Sequence, residues 1–106
     1  MIKESDYKIL CELKKKLSDK IILLDMRLFG SRSRGDADEF SDFDVFIQTE
    51  TLNREMKEII KDITWKVGIE NRAVISPLIF SRYDLTDSPL RSSSVIKNIM
   101  NEGIRI

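Results

Sequence analysis

The stretch that decides the fold runs from residue 30 to residue 44 and reads Gly30-Ser-Arg-Ser-Arg-Gly-Asp-Ala-Asp-Glu-Phe-Ser-Asp-Phe-Asp44. An apolar segment, residues 21–29, leads into it, and a segment rich in β-favouring residues, residues 42–48, closes it. A glycine permits the sharp turn that ends a strand, and the polar residues that follow are typical of a loop. The stretch therefore predicts two strands joined by a polar loop with room for one helical turn.

Apolar periodicity predicts the elements on either side of these strands. Apolar residues spaced by three and four predict helices at 5–19, 52–68 and 92–103, and residues 72–80 predict a third strand with Pro77 at an edge or a bulge. The order is helix, strand, loop, strand, helix, strand, helix. It predicts an α/β (α+β) fold in which a small mixed sheet of three to four strands is flanked by helices.

The composition fits one globular domain that spans residues 1–106. Hydrophobic residues make up 42% of the chain, and 18 basic side chains balance 18 acidic ones. The zero net charge argues against nucleic acid as a partner, since binding to phosphate backbones needs clustered Lys and Arg. The longest apolar run, residues 21–24, is far shorter than the roughly 20 residues that cross a bilayer. Because no signal-peptide pattern opens the chain either, we expect a cytoplasmic protein with no membrane partner.

Histidine is absent from the chain, and this absence narrows the chemistry. A Ser-His-Asp triad, a His-bound zinc or an imidazole acid–base catalyst cannot be formed by these residues alone. The single cysteine, Cys11, lies between Leu10 and Leu13 on a predicted helix, where packing is its expected role. Any catalysis must therefore use carboxylates, hydroxyls, lysines and arginines.

The polar loop offers groups that bind phosphate and metal. Gly30 and Ser31 follow a buried strand, where backbone N–H groups and a hydroxyl approach phosphate oxygens closely, and Arg34 adds a planar cation. Asp42 and Asp44 alternate along a strand, so both project from one face with Cα atoms about 6.5 Å apart. Two such carboxylates hold hard divalent cations, which indicates Mg²⁺ or Mn²⁺.

Spacing separates this pattern from chance. The chain has ten aspartates, so a shuffled sequence contains about one Asp-x-Asp. Asp36 and Asp38 have the same spacing, in what we interpret as a solvated turn. If Gly-Ser must also stand ten residues before the Asp-x-Asp, the number of such patterns expected in a shuffled sequence falls to about three in a thousand. The combination is therefore informative, whereas an aspartate pair alone is not.

These residues resemble the signature of the DNA polymerase β nucleotidyltransferase superfamily, which is Gly-Ser, ten residues, then Asp-x-Asp, after an apolar strand that ends here in Leu-Phe. The chain is most similar to the minimal nucleotidyltransferase (MNT) domains of antitoxin type. The similarity extends from Leu24 to Gly103 and includes Ile75-Ser-Pro-Leu78 and the closing segment, residues 88–103. The resemblance implies a nucleotidyltransferase-like fold over most of the domain.

The resemblance also implies a reaction and a site. A nucleoside monophosphate, AMP from ATP or the equivalent group of another NTP, is transferred to a hydroxyl while pyrophosphate leaves, with Mg²⁺ or Mn²⁺ as cofactor. In antitoxin-type members the acceptor is a tyrosine of a HEPN-type toxin, which is the partner implied here; a homo-oligomer also stays open. The implied site consists of the triphosphate-binding Gly30, Ser31 and Arg34, the further phosphate donor Ser41, and the catalytic, metal-binding Asp42 and Asp44.

One departure from the family concerns a third carboxylate, which active members supply from the next core strand to bind metal and accept a proton. The third predicted strand has no acidic residue, and Val74 stands at the aligned position, so Glu70 or Asp84 would have to reach in from a strand end. Two alternatives therefore stay open: an antitoxin that acts by binding its toxin, and a transferase for small molecules such as aminoglycosides. Arg32 is interpreted as either a phosphate ligand or a solvated loop side chain.

Overall fold

A computed structural model describes residues 2–35, 38 and 40–106 of the chain. In chain order the elements are α1 (Glu4–Ser18), β1 (Leu23–Phe29), α2 (Ser31–Arg34), β2 (Phe43–Thr49), α3 (Arg54–Glu70), β3 (Ile75–Ser81), α4 (Arg82–Thr86), a 3₁₀ turn (Pro89–Ser92), α5 (Ser94–Glu102) and β4 (Ile104–Arg105). None of the helices in this described part is both long and apolar enough to span a membrane.

The four strands form one mixed sheet in the order β3-β2-β1-β4. Strand β1 lies antiparallel to β2 and β4, whereas β2 and β3 are parallel. The registers place Asp44 between Phe29 of β1 and Ser76 of β3. The predicted mixed sheet flanked by helices is confirmed, with β4 as its fourth strand.

One side of the sheet, which we call the back face, is covered by α1 and α3. Helices and strands meet there in a single buried core. Its members are Leu10, Leu13 and Leu17 of α1, Ile21 between α1 and β1, Met26 and Leu28 of β1, Phe43, Val45 and Ile47 of β2, and Ile60 and Val67 of α3. Alternate residues of a strand point to opposite sides, so Asp42, Asp44, Phe46 and Gln48 lie on the other side, the front face.

A side-chain cap fixes the start of α3, and α3 in turn determines where β3 begins. The Asn53 side chain accepts a hydrogen bond from the Met56 N–H at 2.8 Å, which satisfies one of the donors that a helix start leaves unpaired. Ile60 and Val67 lie on the side of the helix that faces the core. Helix α3 carries the chain from the end of β2 back to the level of its start, which makes β2 and β3 parallel.

The front face is covered over only part of its area. Helix α5 lies over β1, where the Arg27 guanidinium donates a hydrogen bond to the Met100 carbonyl at 3.3 Å. Phe46, the register neighbour of Arg27, is fully buried. At the start of β2 the face is open, since Asp42 is exposed and Asp44 is half-buried. The two aspartates therefore stand at the uncovered end of the front face.

Strand β3 is an edge strand, as the proline in it predicts. The Phe43 N–H donates to the Val74 carbonyl at 2.9 Å. In the parallel pattern that continues from this bond, the backbone N–H positions of residues 75, 77 and 79 point away from β2, toward the open edge. Pro77, which lacks an N–H, thus removes no hydrogen bond from the sheet.

Several boundaries differ from the predictions by one to three residues. The third strand starts at residue 75 rather than 72, because Arg72 adopts a φ of +53° in the turn after α3. The last helix starts later than predicted, and the two short helical segments before it were not predicted. The first of them begins at a capping box formed by Ser81 and Asp84, a pattern that the sequence does contain.

Candidate functional site

Gly30 ends β1 in a backbone conformation that only glycine adopts readily. Its φ is +76° and its ψ is −157°, a region in which a Cβ is strained. A Cβ built on Gly30 would also collide with the Oδ2 atom of Asp44. The carboxylate of Asp44 therefore lies directly against the backbone of Gly30, and the glycine is required by both conformation and space.

Asp42 and Asp44 present their carboxylates on the same side of β2, where Arg34 joins them. Burial raises the pKa of the Asp44 carboxyl, the negative charge of Asp42 raises it further, and the positive charge of Arg34 lowers it. Asp42 and Asp44 alternate along one strand, and Arg34 ends the short helix that follows Gly30, against which the Asp44 carboxylate lies. The structure thus brings together both aspartates and the arginine that the sequence predicted for one site.

The donor set of this site fits a hard divalent cation. Two carboxylates that repel each other lose that repulsion when a cation lies between them, and oxygen ligands select Mg²⁺ or Mn²⁺ over softer metals. Within the described residues, no group of three or more His, Cys, Asp or Glu side chains could hold a metal ion. The protein would therefore supply two carboxylates and leave the other positions to substrate oxygens and water.

Helix α2 carries the phosphate-binding candidates that follow Gly30. Ser31 at its start is half-buried, and Arg34 at its end is exposed. The helix is tied to the turn because the Ser33 hydroxyl donates to the Gly30 carbonyl at 2.7 Å. Arg34 also lines a cavity of about 220 Å³ that begins at Gly30 and extends to α5. The Asp44 carboxylate lies against Gly30, Ser31 follows it, and Arg34 shares a cavity lining with it.

Ser41 is engaged within the loop. Its hydroxyl donates to the Asp38 carboxylate at 3.3 Å and accepts from the Asp38 N–H at 3.2 Å. Asp38 also accepts the Phe40 N–H at 2.8 Å, which closes a turn of the expected kind. Asp36, the other member of that aspartate pair, lies outside the described residues. Ser41 can act as the predicted phosphate donor only by exchanging its bonds to Asp38.

Arg32 is a buried structural residue, and both interpretations of it from the sequence were wrong. It is 9% exposed, and its Nη1 atom donates to both carboxylate oxygens of Asp6, at 3.0 and 3.1 Å. Its Nε atom donates to the Ser41 carbonyl at 2.8 Å, and its guanidinium carbon lies 4.0 Å from the centre of the Phe43 ring. Ser41 and Phe43 flank Asp42, so Arg32 contacts the residue on each side of that aspartate, through the backbone carbonyl of one and the ring of the other.

A signal for this contact was present in the sequence. Asp6 stands four residues before Leu10 and seven before Leu13, so it lies on the apolar side of α1. A buried carboxylate on such a side needs a partner. Sequence reasoning missed the pair because Arg32 is 26 residues away from Asp6 and joins it only through the fold.

Neither candidate for a third carboxylate lies at the site. Asp84 follows the far end of β3, opposite to the end with the two aspartates, and its carboxylate accepts the Ser81 N–H at 3.0 Å to cap α4. Glu70 ends α3, on the back face, and pairs with Lys16 at 3.5 Å. Val74, at the position aligned with the third carboxylate, is exposed. Among the described residues, neither Glu70 nor Asp84 therefore completes the site with a third carboxylate.

Known proteins are similar to this sequence over most of its length. A family model described as "Nucleotidyltransferase domain" matches residues 10–106. A protein of Methanocaldococcus jannaschii named "Putative protein adenylyltransferase MJ0141" is 35% identical over 108 residues, which cover 100% of this chain and 95% of the relative. The matched region contains the whole of the site described above.

Solved structures share the fold. A toxin–antitoxin crystal structure with AMP-PNP has a TM-score of 0.61 and 22% identity, covering 92% of this chain and 69% of that one. A mutant of the MntA–HpeT toxin–antitoxin pair has a TM-score of 0.62 and 20% identity, covering 90% of this chain and 69% of that one. The minimal nucleotidyltransferase fold that the motif implied is confirmed by these matches.

Proposed function

The chain belongs to the nucleotidyltransferase domain family and is a nucleotidyltransferase; from that premise we propose that it transfers AMP from ATP to a hydroxyl of a partner protein. The acceptor we propose is a tyrosine of a HEPN-type toxin, which the modification silences. The observation that carries the proposal is the meeting of Asp42, Asp44 and Arg34 beside Gly30. The relative named for protein adenylylation and the toxin–antitoxin neighbours support the choice of acceptor.

In the proposed reaction the acceptor oxygen forms a bond to the α-phosphorus of ATP. The bond from that phosphorus to the oxygen bridging to the β-phosphate breaks, pyrophosphate leaves, and the hydroxyl proton passes to water. Ser31 and Arg34 supply a hydroxyl and a guanidinium to the phosphate oxygens, and Ser41 joins them once its bonds to Asp38 have been exchanged. These groups hold the phosphates in place while charge builds up on them.

Asp42 and Asp44 would hold Mg²⁺ or Mn²⁺, which when bound neutralises phosphate charge and makes the attacking hydroxyl more acidic. The task of the chain is to keep the two carboxylates together although they repel each other. Arg32 contributes by fixing the Ser41 carbonyl and the Phe43 ring. Gly30 contributes by leaving the space that the Asp44 carboxylate fills.

The test is transfer of label from α-phosphate-labelled ATP to the candidate toxin in the presence of Mg²⁺. We expect labelled toxin with the wild-type chain and none with Asp42→Asn or Asp44→Asn. Asp62→Asn is the matched control, because Asp62 is an exposed aspartate on α3 that pairs with Lys66. The proposal is refuted if both site variants still label the toxin. It is also refuted if the wild-type chain transfers no label from α-phosphate-labelled ATP, GTP, CTP or UTP.

A second candidate function is neutralisation of the toxin by binding alone. The observation in its favour is that the described residues place two carboxylates at the site rather than three. On this hypothesis the Asp42→Asn protein still protects cells from the toxin. Loss of protection by a variant that still forms the complex would exclude binding alone and favour the transferase.

A further inference from the structure

A groove follows the open edge of the sheet, between α3 and β3. Two cavities form it: one of about 460 Å³ beside Val74, where β3 begins, and one of about 570 Å³ beside Ser81, where β3 ends. We propose that this edge groove binds a segment of the acceptor protein that carries both apolar and acidic side chains. The proposal rests on the proposed function and names the surface that recognises the acceptor.

The cavity at the start of β3 is mostly apolar, and its large apolar side chains are exposed. Trp65 and Ile69 of α3 and Val74 before β3 are each more than half exposed. Exposed apolar residues that lie together are typical of protein-binding surfaces, and tryptophan is enriched among the residues that contribute most to such binding. Pro77 in the same lining lacks an N–H, so side chains rather than an added strand make the contact.

The rest of the edge groove is positively charged. Arg54, Lys57, Lys61 and Trp65 follow one another at intervals of three, four and four residues, so they share one side of α3. Lys57 lines one cavity and Lys61 the other, which makes the two cavities parts of one surface. The three cations are exposed, and none of them makes an ion pair within the part of the chain that the structure describes.

The carboxylates that line the edge groove do not neutralise these cations. Glu50 pairs with Arg82 at 3.3 Å, and the Asp84 carboxylate accepts the Ser81 N–H at 3.0 Å. The charges left without a partner in the lining are therefore positive. Acidic side chains on a bound protein complement them, and such pairing steers the partner and sets its orientation.

The apolar end of the edge groove lies beside the catalytic aspartates. Phe43 pairs with Ile75 in the sheet register, and its N–H is bonded to the Val74 carbonyl. One position earlier on each strand, Asp42 and Val74 are therefore neighbours, with Cα atoms about 5 Å apart. A protein that covers Val74 also lies next to the carboxylates. The acceptor protein has to reach this point for transfer, and this requirement identifies it as the occupant.

The test measures equilibrium binding of the purified candidate toxin, and separately of ATP with Mg²⁺, to the full chain. Trp65→Ala and the double variant Lys57→Glu/Lys61→Glu should each weaken toxin binding by about tenfold or more. ATP binding should not change, because these side chains lie outside the phosphate- and metal-binding candidates. Lys15→Glu is the matched control, since Lys15 is also an exposed lysine but lies on α1. It should change toxin binding by no more than about twofold.

Two further measurements separate docking from a structural effect of the substitutions. In the labelling assay, both variants should raise KM for the toxin and leave kcat unchanged, because docking precedes transfer and the catalytic residues are intact. Added salt should weaken toxin binding by the wild type more than by the double variant, because salt screens exposed charges.

The outcomes distinguish this inference from the function on which it rests. If both groove variants bind the toxin as tightly as Lys15→Glu while the wild type labels it, the inference fails and the proposed function stands. If the groove variants lose toxin binding but the wild type transfers no label, the docking surface is supported and the transferase is refuted. A wild-type chain that binds no toxin overturns both the groove and the toxin as acceptor.

Two other occupants would also overturn the inference. The first is RNA: a mixed-sequence single-stranded RNA would bind the wild type and not the double variant, with toxin binding unchanged. The second is another copy of this chain: light scattering would show a dimer that Trp65→Ala dissociates without any effect on the toxin.

Discussion

The two faces of the sheet differ in the role of the β2 residues that point toward them. On the back face, Phe43, Val45 and Ile47 are between 0% and 1% exposed and belong to the core. On the front face, Asp42 and Asp44 alternate with them along the chain and carry like charges side by side. The back face stabilises the domain, and this stability lets the front face hold an arrangement that by itself is unfavourable.

The same contrast is repeated within the four residues of α2. Arg32 is buried against Asp6 and the Phe43 ring, whereas Arg34 is exposed and acts on Asp44. Two arginines separated by one residue thus serve the core and the site. The difference shows that residue type and spacing alone do not assign a role, because the neighbouring helix α1 decides which arginine is buried.

The largest expected effect comes from Arg32. Arg32→Met leaves the buried Asp6 carboxylate without its partner, which costs about 3–5 kcal/mol of unfolding free energy in pairs of this kind. Arg34→Met should change stability by no more than about 0.5 kcal/mol and should still abolish transfer. Urea unfolding together with the labelling assay measures both quantities.

A double variant keeps this prediction testable if Arg32→Met does not fold. Asp6→Leu combined with Arg32→Met removes both buried charges, so most of the lost stability should return. Transfer should stay low, because the Arg32 hydrogen bond to the Ser41 carbonyl beside Asp42 is then lost. Full activity in the folded double variant would show that Arg32 has no part in positioning the site.

An intermediate effect is expected from the two glycines of the loop. Gly30→Ala combines a strained backbone with a collision at Asp44 and should cost roughly 1–3 kcal/mol and abolish transfer. Gly35 also has a positive φ, of +79°, but among the described residues no atom beyond its chain neighbours lies within 4 Å of a Cβ built there. Gly35→Ala should therefore cost only about 1–2 kcal/mol and retain transfer. Equal transfer by the two variants would contradict the contact between Gly30 and Asp44.

The smallest expected effect is the pH dependence that Asp44 causes. Because burial and Asp42 raise its pKa in the folded state, the folded chain binds this proton more tightly than the unfolded chain does. Stability from this group is therefore present below the ordinary value of 3.8 and is lost as the pH rises through the raised pKa. Without Mg²⁺, Asp44→Asn should match the wild type at low pH and be more stable near neutrality.

Thermal unfolding of both proteins between acid and neutral pH, without divalent cations, measures that difference. A difference that does not change with pH would mean that Asp44 is not in the environment described. Mg²⁺ added at neutral pH should stabilise the wild type more than Asp44→Asn, since only the wild type keeps both carboxylates.

Much of the fold and part of the site could be predicted from local sequence. The alternation in β2 predicts that Asp42 and Asp44 share a side, and the glycine after an apolar strand predicts the turn at residue 30. The short helical segments after β3 were missed, although the capping pattern of Ser81 and Asp84 was present. Their apolar periodicity is too short to register as a helix.

The sequence by itself determined the first three strands, the amphipathic helices and the grouping of the residues that we propose bind phosphate and metal, because each depends on neighbours a few positions away. Only the tertiary structure decided that Arg32 pairs with Asp6 across 26 residues, that Glu70 and Asp84 lie away from the site, and that α5 closes a pocket beside Gly30. Those features depend on which faces of distant elements meet. Packing of the whole chain sets those contacts, and no local pattern records them.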